Sequence, residues 1–320
     1  MKKKIFLIVI NILLILISFF IVEIVIWNKE NDHLRKTNTF PKTMNEIGFH
    51  KGITKFNIDL KYFPTPENGY GRAPEGLQYK KKPITIFGCS YAYGYKLDKE
   101  ETFSYKLAHN AKRPVYNQSF TGWGIQHMLY QSKLEDFYSK VPEPEYVIYV
   151  YINDHIRRLY LISFSSWNIL AEQFNLRYKK KNNQLIEIRN QNPIFNQIKR
   201  LYFVNKLQNT IVNKQIANSK NPEKHYDFAL EHFVNAKNEM QKHWKNSKFV
   251  VLFYDDAKND EYLKNKLEKN DFIVIETEKL IKEDLTKEEF LTEDKCHPNE
   301  KAWNIITPAL IRELNLWKKL

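Results

Sequence analysis

The chain has 320 residues, of which 43% are hydrophobic, and its formal net charge is +13. This length allows one large domain or two small ones, with enough apolar residues for a packed core. The basic charge raises the question of nucleic acid. However, the lysines are scattered, and no zinc-ligand set, recognition-helix pattern or basic–aromatic signature accompanies them, so nucleic-acid binding is not expected.

The amino-terminal segment has the pattern of a membrane anchor. Three lysines at 2–4 precede an apolar run from Ile5 that continues past Glu23 to Trp27. This run is long enough to cross a bilayer, exceeds the usual core of a signal peptide, and is followed by no small-x-small cleavage site. The sequence therefore predicts an uncleaved, single-pass anchor over 1–27, with a cleaved signal peptide as the alternative. The basic tail favours a cytoplasmic amino terminus and places the rest of the chain on the periplasmic or extracellular face.

Residues 28–80 are polar and mixed, and several prolines and glycines interrupt the second half. We expect a tether followed by an irregular lead-in. After residue 81 the pattern changes to short apolar runs that alternate with helical periodicity.

Five of these runs are typical of buried parallel strands: 84–87, 114–116, 146–151, 249–254 and 272–275. Helical patterns cover 100–110, 125–138, 224–244 and 298–316, the last with a kink expected at Pro308. This alternation predicts an α/β domain over 81–320, a three-layer α/β/α sandwich with a five-stranded, mostly parallel, flavodoxin-like sheet. One transmembrane helix would precede it.

The connection between the third and fourth strands is long. Its first part, at about 157–221, is expected to be an insertion beside the carboxyl edge of the sheet. It could serve as a lid or as the surface that docks an envelope protein partner.

Two segments at opposite ends of this domain carry the chemistry. Ser90 follows the first strand in Gly88-Cys89-Ser90, where a serine is either a helix cap or a nucleophile. Asp294 and His297 lie three residues apart before the last helix. This spacing lets a carboxylate orient an imidazole that accepts the serine proton, although a surface turn and an N-cap would use the same residues.

Two further segments follow the second and third strands. Gly122 would let a backbone N–H approach an oxyanion, and Asn153 would offer a side-chain amide. Ordinary turns are the alternative for both. Because the carboxyl ends of parallel strands lie at one edge, we expect all four segments to meet there.

In order, these segments resemble the four motif blocks of the SGNH hydrolases, also called the GDSL esterase/lipase superfamily. The blocks are Gly88-Cys89-Ser90, 117–122, Ile152-Asn153-Asp154 and 294–298. The resemblance implies Ser90, His297 and Asp294 as a catalytic triad, and Ser90, Gly122 and Asn153 as the oxyanion hole, with no metal or organic cofactor. Departures from the usual blocks are Cys89, Ser119 and Tyr151.

The activity that this resemblance implies is that of a membrane-anchored serine esterase. The expected substrate is an O-acyl ester, with O-acetyl favoured, on an envelope or extracellular glycan. An O-acyltransferase with the same triad is the alternative, because the acyl-enzyme can meet a sugar hydroxyl instead of water. A non-catalytic envelope interaction protein is the second alternative.

The two cysteines precede the nucleophile and the base. If Ser90 and His297 meet, Cys89 and Cys296 could approach to disulfide distance, and an exported location would permit oxidation. The hypothesis is a disulfide between them, and the alternative is two buried thiols that point apart.

Weaker candidates surround the same edge. His155, Arg157 and Arg158 would bind an anionic or sugar substrate or would be solvated loop residues. Asp255-Asp256 would bind a metal or form a turn. Aromatic residues expected to stack on sugar rings or to pack in the core are Tyr91, Tyr93, Tyr95 and Trp123.

Overall fold

The structure is a computed structural model that describes residues 72–160, 176–182, 184–188, 202–219, 221–254 and 260–316, together with residue 18. The predicted anchor at 1–27, most of the tether and Asp255-Asp256 lie outside these residues. Among the residues described, no helix is long and apolar enough to cross a membrane.

The strands agree closely with the apolar runs of the sequence. They are β1 (Ile84–Phe87), β2 (Val115–Asn117), β3 (Tyr146–Tyr151), β4 (Arg177–Lys181), β5 (Gln184–Ile188), β6 (Lys248–Phe253) and β7 (Ile273–Glu276). Within the described part, five of them form one sheet in the order β2-β1-β3-β6-β7, and all neighbours in it are parallel. This is the flavodoxin-like winding, and the expectation of a mostly parallel sheet is confirmed.

The helices are α1 (Ser90–Tyr93), α2 (Phe103–Ala111), α3 (Ile125–Gln131), α4 (Glu135–Lys140), α5 (Asp154–Arg158), α6 (Tyr202–Ala217), α7 (Glu223–Gln241), α8 (Glu261–Glu268), α9 (Thr277–Leu280) and α10 (Glu300–Glu313). Short 3-10 turns occupy Lys99–Glu101 and Glu288–Phe290. The last helix begins after Asn299, whose side chain accepts a hydrogen bond from the Ala302 N–H, and it continues through Pro308.

The pattern at 125–138 forms two helices where one was expected. The hydroxyl of Ser132 donates to the carbonyl of Leu129 at 2.8 Å, and the chain turns there before α4 begins. Serine side chains compete with the helix for backbone groups in this way. The amphipathic spacing of the sequence does not reveal that competition, so it predicted a single helix.

Helices cover both faces of the sheet. On one face, Leu107 of α2 and Trp303 of α10 belong to the same apolar cluster as Ile148 of β3. On the other face, Phe233 of α7 packs in a second cluster with Tyr149 of the same strand. Because alternate residues of β3 enter opposite clusters and all six are buried, the domain has three layers.

The end of the lead-in and part of the insertion also pack on this body. Glu75 forms an antiparallel bridge with Val115, and the buried Arg72 donates to the carbonyl of Gly94 at 2.9 Å. In the insertion, β4 and β5 pair antiparallel as a hairpin that the sequence did not indicate. The hairpin is held to α7 by buried Tyr178, whose ring contacts His232.

Candidate active site

The turn after β1 presents Ser90 at the carboxyl edge of the sheet. Gly88 has φ +151, and a Cβ there would lie 3.1 Å from the carbonyl oxygen of Val150, so a side chain would crowd the neighbouring strand. Cys89 directly precedes the short helix α1, and Ser90 is the first residue of that helix. The serine is only 4% exposed, so its hydroxyl is largely shielded from solvent.

A continuous hydrogen-bond chain joins Ser90, His297 and Asp294. The His297 Nε2 lies 2.8 Å from Ser90 Oγ, and its Nδ1 lies 2.7 Å from Asp294 Oδ2. A carboxylate can only accept, so Nδ1 donates to Asp294, and Nε2 then accepts from the serine hydroxyl. This is the tautomer that lets an imidazole act as general base.

The Asp294 carboxylate is held by its own loop. Its Oδ1 accepts from the Thr292 hydroxyl at 2.7 Å and from the backbone N–H groups of Cys296 and His297 at 3.0 and 3.1 Å. Burial alone would raise the pKa of Asp294, but the hydrogen bonds from His297 and Thr292 outweigh burial and hold that pKa well below its usual range. The carboxylate is therefore ionised when it orients the imidazole.

Two tyrosine rings flank the base. The ring centroids of Tyr91 and Tyr95 lie 5.4 and 4.9 Å from that of His297, and the Tyr91 hydroxyl donates to the carbonyl of Cys296 at 2.7 Å. The other predicted aromatics have different places. Tyr93 is fully buried under the guanidinium of Arg72, and burial raises its pKa to about 12. Trp123 is buried and stacks on His127.

The segment after β2 is tied to the nucleophile turn. The Gln118 N–H donates to the carbonyl of Ile86 at 2.7 Å, and the Asn117 side chain donates to the carbonyl of Ala92 at 2.8 Å. Gly122 follows with φ +78, the left-handed conformation that favours glycine. Asn153 follows β3 and precedes α5. Since β2, β1 and β3 are neighbours, these segments flank Ser90, and their role as oxyanion donors stays a prediction.

The disulfide hypothesis is wrong for this structure, in which both cysteines are free. Cys89 is buried in the core, and its thiol contacts the guanidinium of Arg158, whereas Cys296 is exposed. Although Ser90 and His297 meet, the residues that precede them are therefore not bonded to each other. The alternative of two buried thiols is met by Cys89 but not by the exposed Cys296.

The segment 154–158 is a buried clamp, a role that neither interpretation of its residues anticipated. Arg158 is 6% exposed, its Nε donates to Asp154 Oδ2 at 2.6 Å, and its Nη1 donates to the carbonyl of Trp123 at 2.6 Å. With its contact to the Cys89 thiol, one guanidinium joins the loops after β1, β2 and β3. The four-residue spacing of Asp154 and Arg158 on a helix was the sequence signal.

His155 is not a substrate ligand at the surface either. It is fully buried, and its Nδ1 lies 3.1 Å from the Tyr149 hydroxyl. Burial holds the pKa of His155 well below its ordinary value, so the ring is neutral inside the protein. Within the described ranges, no group of three or more His, Cys, Asp or Glu side chains has an arrangement that could hold a metal ion.

A groove of about 380 Å³ begins beside Asn153. It runs between α5, the end of α6, the start of α7 and the residue before α8. Its lining residues are Asn153, Ile156, Arg157, Asn213, Ile216, Pro222, His225, Tyr226 and Asp260. Sequence reasoning placed a lid or partner surface here but did not find Asp260 or His225, because residues from four separate segments meet only in the fold.

No protein-family model matches the sequence, and no curated protein does. Solved structures that resemble the chain include a member of the lipolytic protein G-D-S-L family from Veillonella parvula, at 11% identity and a TM-score of 0.41, over 73% of this chain and 98% of that one. An acetyl xylan esterase from Butyrivibrio proteoclasticus has 10% identity and a TM-score of 0.44, over 75% of this chain and 65% of that one.

A carbohydrate esterase family 2 enzyme with a carbohydrate-binding domain, from Corynascus thermopiles, has 11% identity and a TM-score of 0.42, over 74% of this chain and 66% of that one. The Veillonella parvula protein carries the name of the G-D-S-L group that the motif blocks resemble. Likenesses this distant say nothing by themselves about the reaction or the substrate of this chain.

Proposed function

We propose that the chain is a serine ester hydrolase of the SGNH type, with Ser90 as nucleophile, His297 as general base and acid, and Asp294 as the residue that orients the imidazole. The observation that carries this is the chain of two hydrogen bonds, 2.8 Å from Ser90 Oγ to His297 Nε2 and 2.7 Å from His297 Nδ1 to Asp294. A hydroxyl, an imidazole and an ionised carboxylate in this order are the parts of a nucleophilic triad.

The reaction follows from this geometry. The Ser90 oxygen attacks the ester carbonyl carbon while its proton moves to His297 Nε2. The resulting oxyanion is stabilised by the Ser90 N–H, the Gly122 N–H and the Asn153 side chain. Collapse of this intermediate expels the alcohol, which takes the proton from His297. Water then attacks the acyl-serine by the same steps in reverse and releases the acid.

The finer proposal is that the ester is an O-acyl group, with acetyl favoured, on an envelope or extracellular glycan. Tyrosine rings beside His297, and a groove beside Asn153 that mixes polar and apolar side chains, suit a sugar better than a lipid chain. If an acceptor sugar displaces water, the same acyl-enzyme makes an O-acyltransferase. Free acetate as the product of an acetylated glycan supports hydrolysis, whereas acetyl transfer to an added sugar favours the alternative.

A fluorophosphonate probe and an aryl ester test the triad together. We expect the probe to label Ser90, and Ser90→Ala to lower kcat for nitrophenyl acetate by about a thousandfold or more. Ser139→Ala is the matched control, because Ser139 is exposed and its hydroxyl donates to the carbonyl of Asp136 in its own helix. Labelling or full activity that persists in Ser90→Ala would refute the proposal, and absent labelling of the wild type would favour the non-catalytic alternative.

We also propose that residues 1–27 anchor the enzyme in a membrane, with the catalytic domain outside the cytoplasm. The basic residues 2–4 followed by the apolar run support this orientation. In spheroplasts, added protease should degrade a carboxyl-terminal tag. Protection of that tag until the membrane is lysed would contradict the proposed orientation.

A further inference from the structure

Asp260 occupies an unusual place for a carboxylate. It directly precedes α8, where an aspartate ordinarily accepts a hydrogen bond from the first turn, yet its side chain makes no capping bond. The residue is 2% exposed, and its Oδ2 has no hydrogen-bond partner among the residues that the structure describes. The side chain therefore forgoes a stabilising cap and is buried in the wall of the groove.

The surroundings of Asp260 are polar but satisfy it only in part. The hydroxyls of Tyr151 and Tyr226 interact with its carboxyl group and favour its ionised form, whereas Oδ2 keeps no hydrogen-bond partner among the described residues. Burial raises the pKa of Asp260, which shows that the carboxylate is held where water solvates it poorly. An unsatisfied buried carboxylate is costly, and a ligand with hydroxyl donors would remove that cost.

A second residue of the groove lining, His225, also carries an unsatisfied atom. The Nδ1 of His225 pairs with the Tyr160 hydroxyl at 2.9 Å, whereas its Nε2 is buried and has no hydrogen-bond partner in the described part of the chain. Arg157 also lines the groove, and its guanidinium is already engaged by Asp154. The groove thus combines unused polar groups with apolar side chains at Ile156 and Ile216.

This combination indicates the class of ligand. The carboxylate of Asp260 would repel an anion, and the guanidinium of Arg157 would repel a cation. A neutral ring with several hydroxyls satisfies the unpaired oxygen and nitrogen, and its C–H faces fit the isoleucines. The groove volume is within the range of small-molecule sites.

We propose that this groove is the subsite that binds the sugar ring of an acylated glycan, with Asp260 accepting hydrogen bonds from sugar hydroxyls. The inference rests on the proposed esterase function, because Asn153 connects the groove to the predicted oxyanion hole. Asp260 and His225 are then specificity residues, and Ser90 remains the residue that reacts.

The kinetic test compares two esters on the full chain, a monoacetylated methyl glucoside and nitrophenyl acetate. In Asp260→Asn we expect the ratio of kcat/KM for the sugar ester to kcat/KM for the aryl ester to fall about tenfold or more, mainly through a higher KM, since a charged acceptor is lost. Asp271→Asn is the matched control, because its carboxylate is 96% exposed and lies outside the groove. An unchanged ratio in Asp260→Asn would overturn the subsite.

A binding measurement separates this inference from the esterase proposal. Calorimetry with Ser90→Ala should detect the monoacetylated glucoside, and the added Asp260→Asn substitution should weaken binding about tenfold. Equal binding by both proteins, or none by either, overturns the subsite even if nitrophenyl acetate is hydrolysed. Binding that depends on Asp260 without hydrolysis supports the subsite and contradicts the esterase. If Asp260→Asn does not fold, Tyr226→Phe repeats the test with the neighbouring hydroxyl removed.

Discussion

Replacing Arg158 by methionine tests whether one guanidinium holds the active-site loops together. Arg158→Met keeps most of the aliphatic volume but removes the 2.6 Å bonds to Asp154 and to the carbonyl of Trp123, and the contact with the Cys89 thiol. Burial alone would raise the pKa of Asp154, but the charges of Arg158 and Arg157 outweigh it and lower that pKa, so the folded protein holds an ionised carboxylate here.

The loss of stability depends on the Asp154 carboxylate, which stays in place without its Arg158 partner. Removing one partner of a buried ion pair costs about 3–5 kcal/mol. Asp154 is 26% exposed and keeps its bond to Arg157, so we take the lower end, a loss of about 3 kcal/mol. With a urea slope near 3 kcal/mol per M, the unfolding midpoint falls by about 1 M.

Arg157→Met is the matched control for this change. Arg157 bonds the same carboxylate but is 28% exposed, and pairs of that kind contribute about 1 kcal/mol or less. Its unfolding midpoint in urea should fall by no more than about 0.3 M. The reasoning is refuted if the two variants unfold at the same urea concentration, or if Arg157→Met is the less stable one.

Three further predictions concern other groups. Burial lowers the pKa of His232 to about 4, so between about pH 6.5 and 4 this residue binds a proton only when the protein unfolds, and the free energy of unfolding falls as the pH drops. His232→Gln should make this pH dependence less steep by up to ~1.4 kcal/mol per pH unit. Urea titrations that give the same pH dependence for both proteins would contradict the prediction. Tyr91→Phe loses the 2.7 Å bond to the carbonyl of Cys296 and should lower kcat for nitrophenyl acetate about three- to tenfold with KM unchanged, because the base loop is held less firmly; a wild-type kcat would argue against that role. Thiol titration of the unreduced, denatured protein should find both Cys89 and Cys296 reactive, and finding neither would restore the disulfide.

The elements predicted best are those whose signal is local. The runs at β1 and β3 define those strands to the residue, because a strand buried on both faces is apolar at nearly every position, with Thr85 the polar residue of β1. The hairpin of β4 and β5 was missed, since its charged and exposed residues lack that pattern. One buried residue, Tyr178, packs the hairpin against α7.

By itself the sequence determined the fold class, the serine turn after β1 and the acid–base pair of Asp294 and His297, because each depends on residues close together in the chain. The tertiary structure alone decided the direction of the side chains between segments. It places the Cys89 thiol against Arg158 without a bond to Cys296, and it places Asp260 in a groove built from four segments. Packing sets these directions through contacts between residues far apart in sequence, and spacing along the chain carries no record of them.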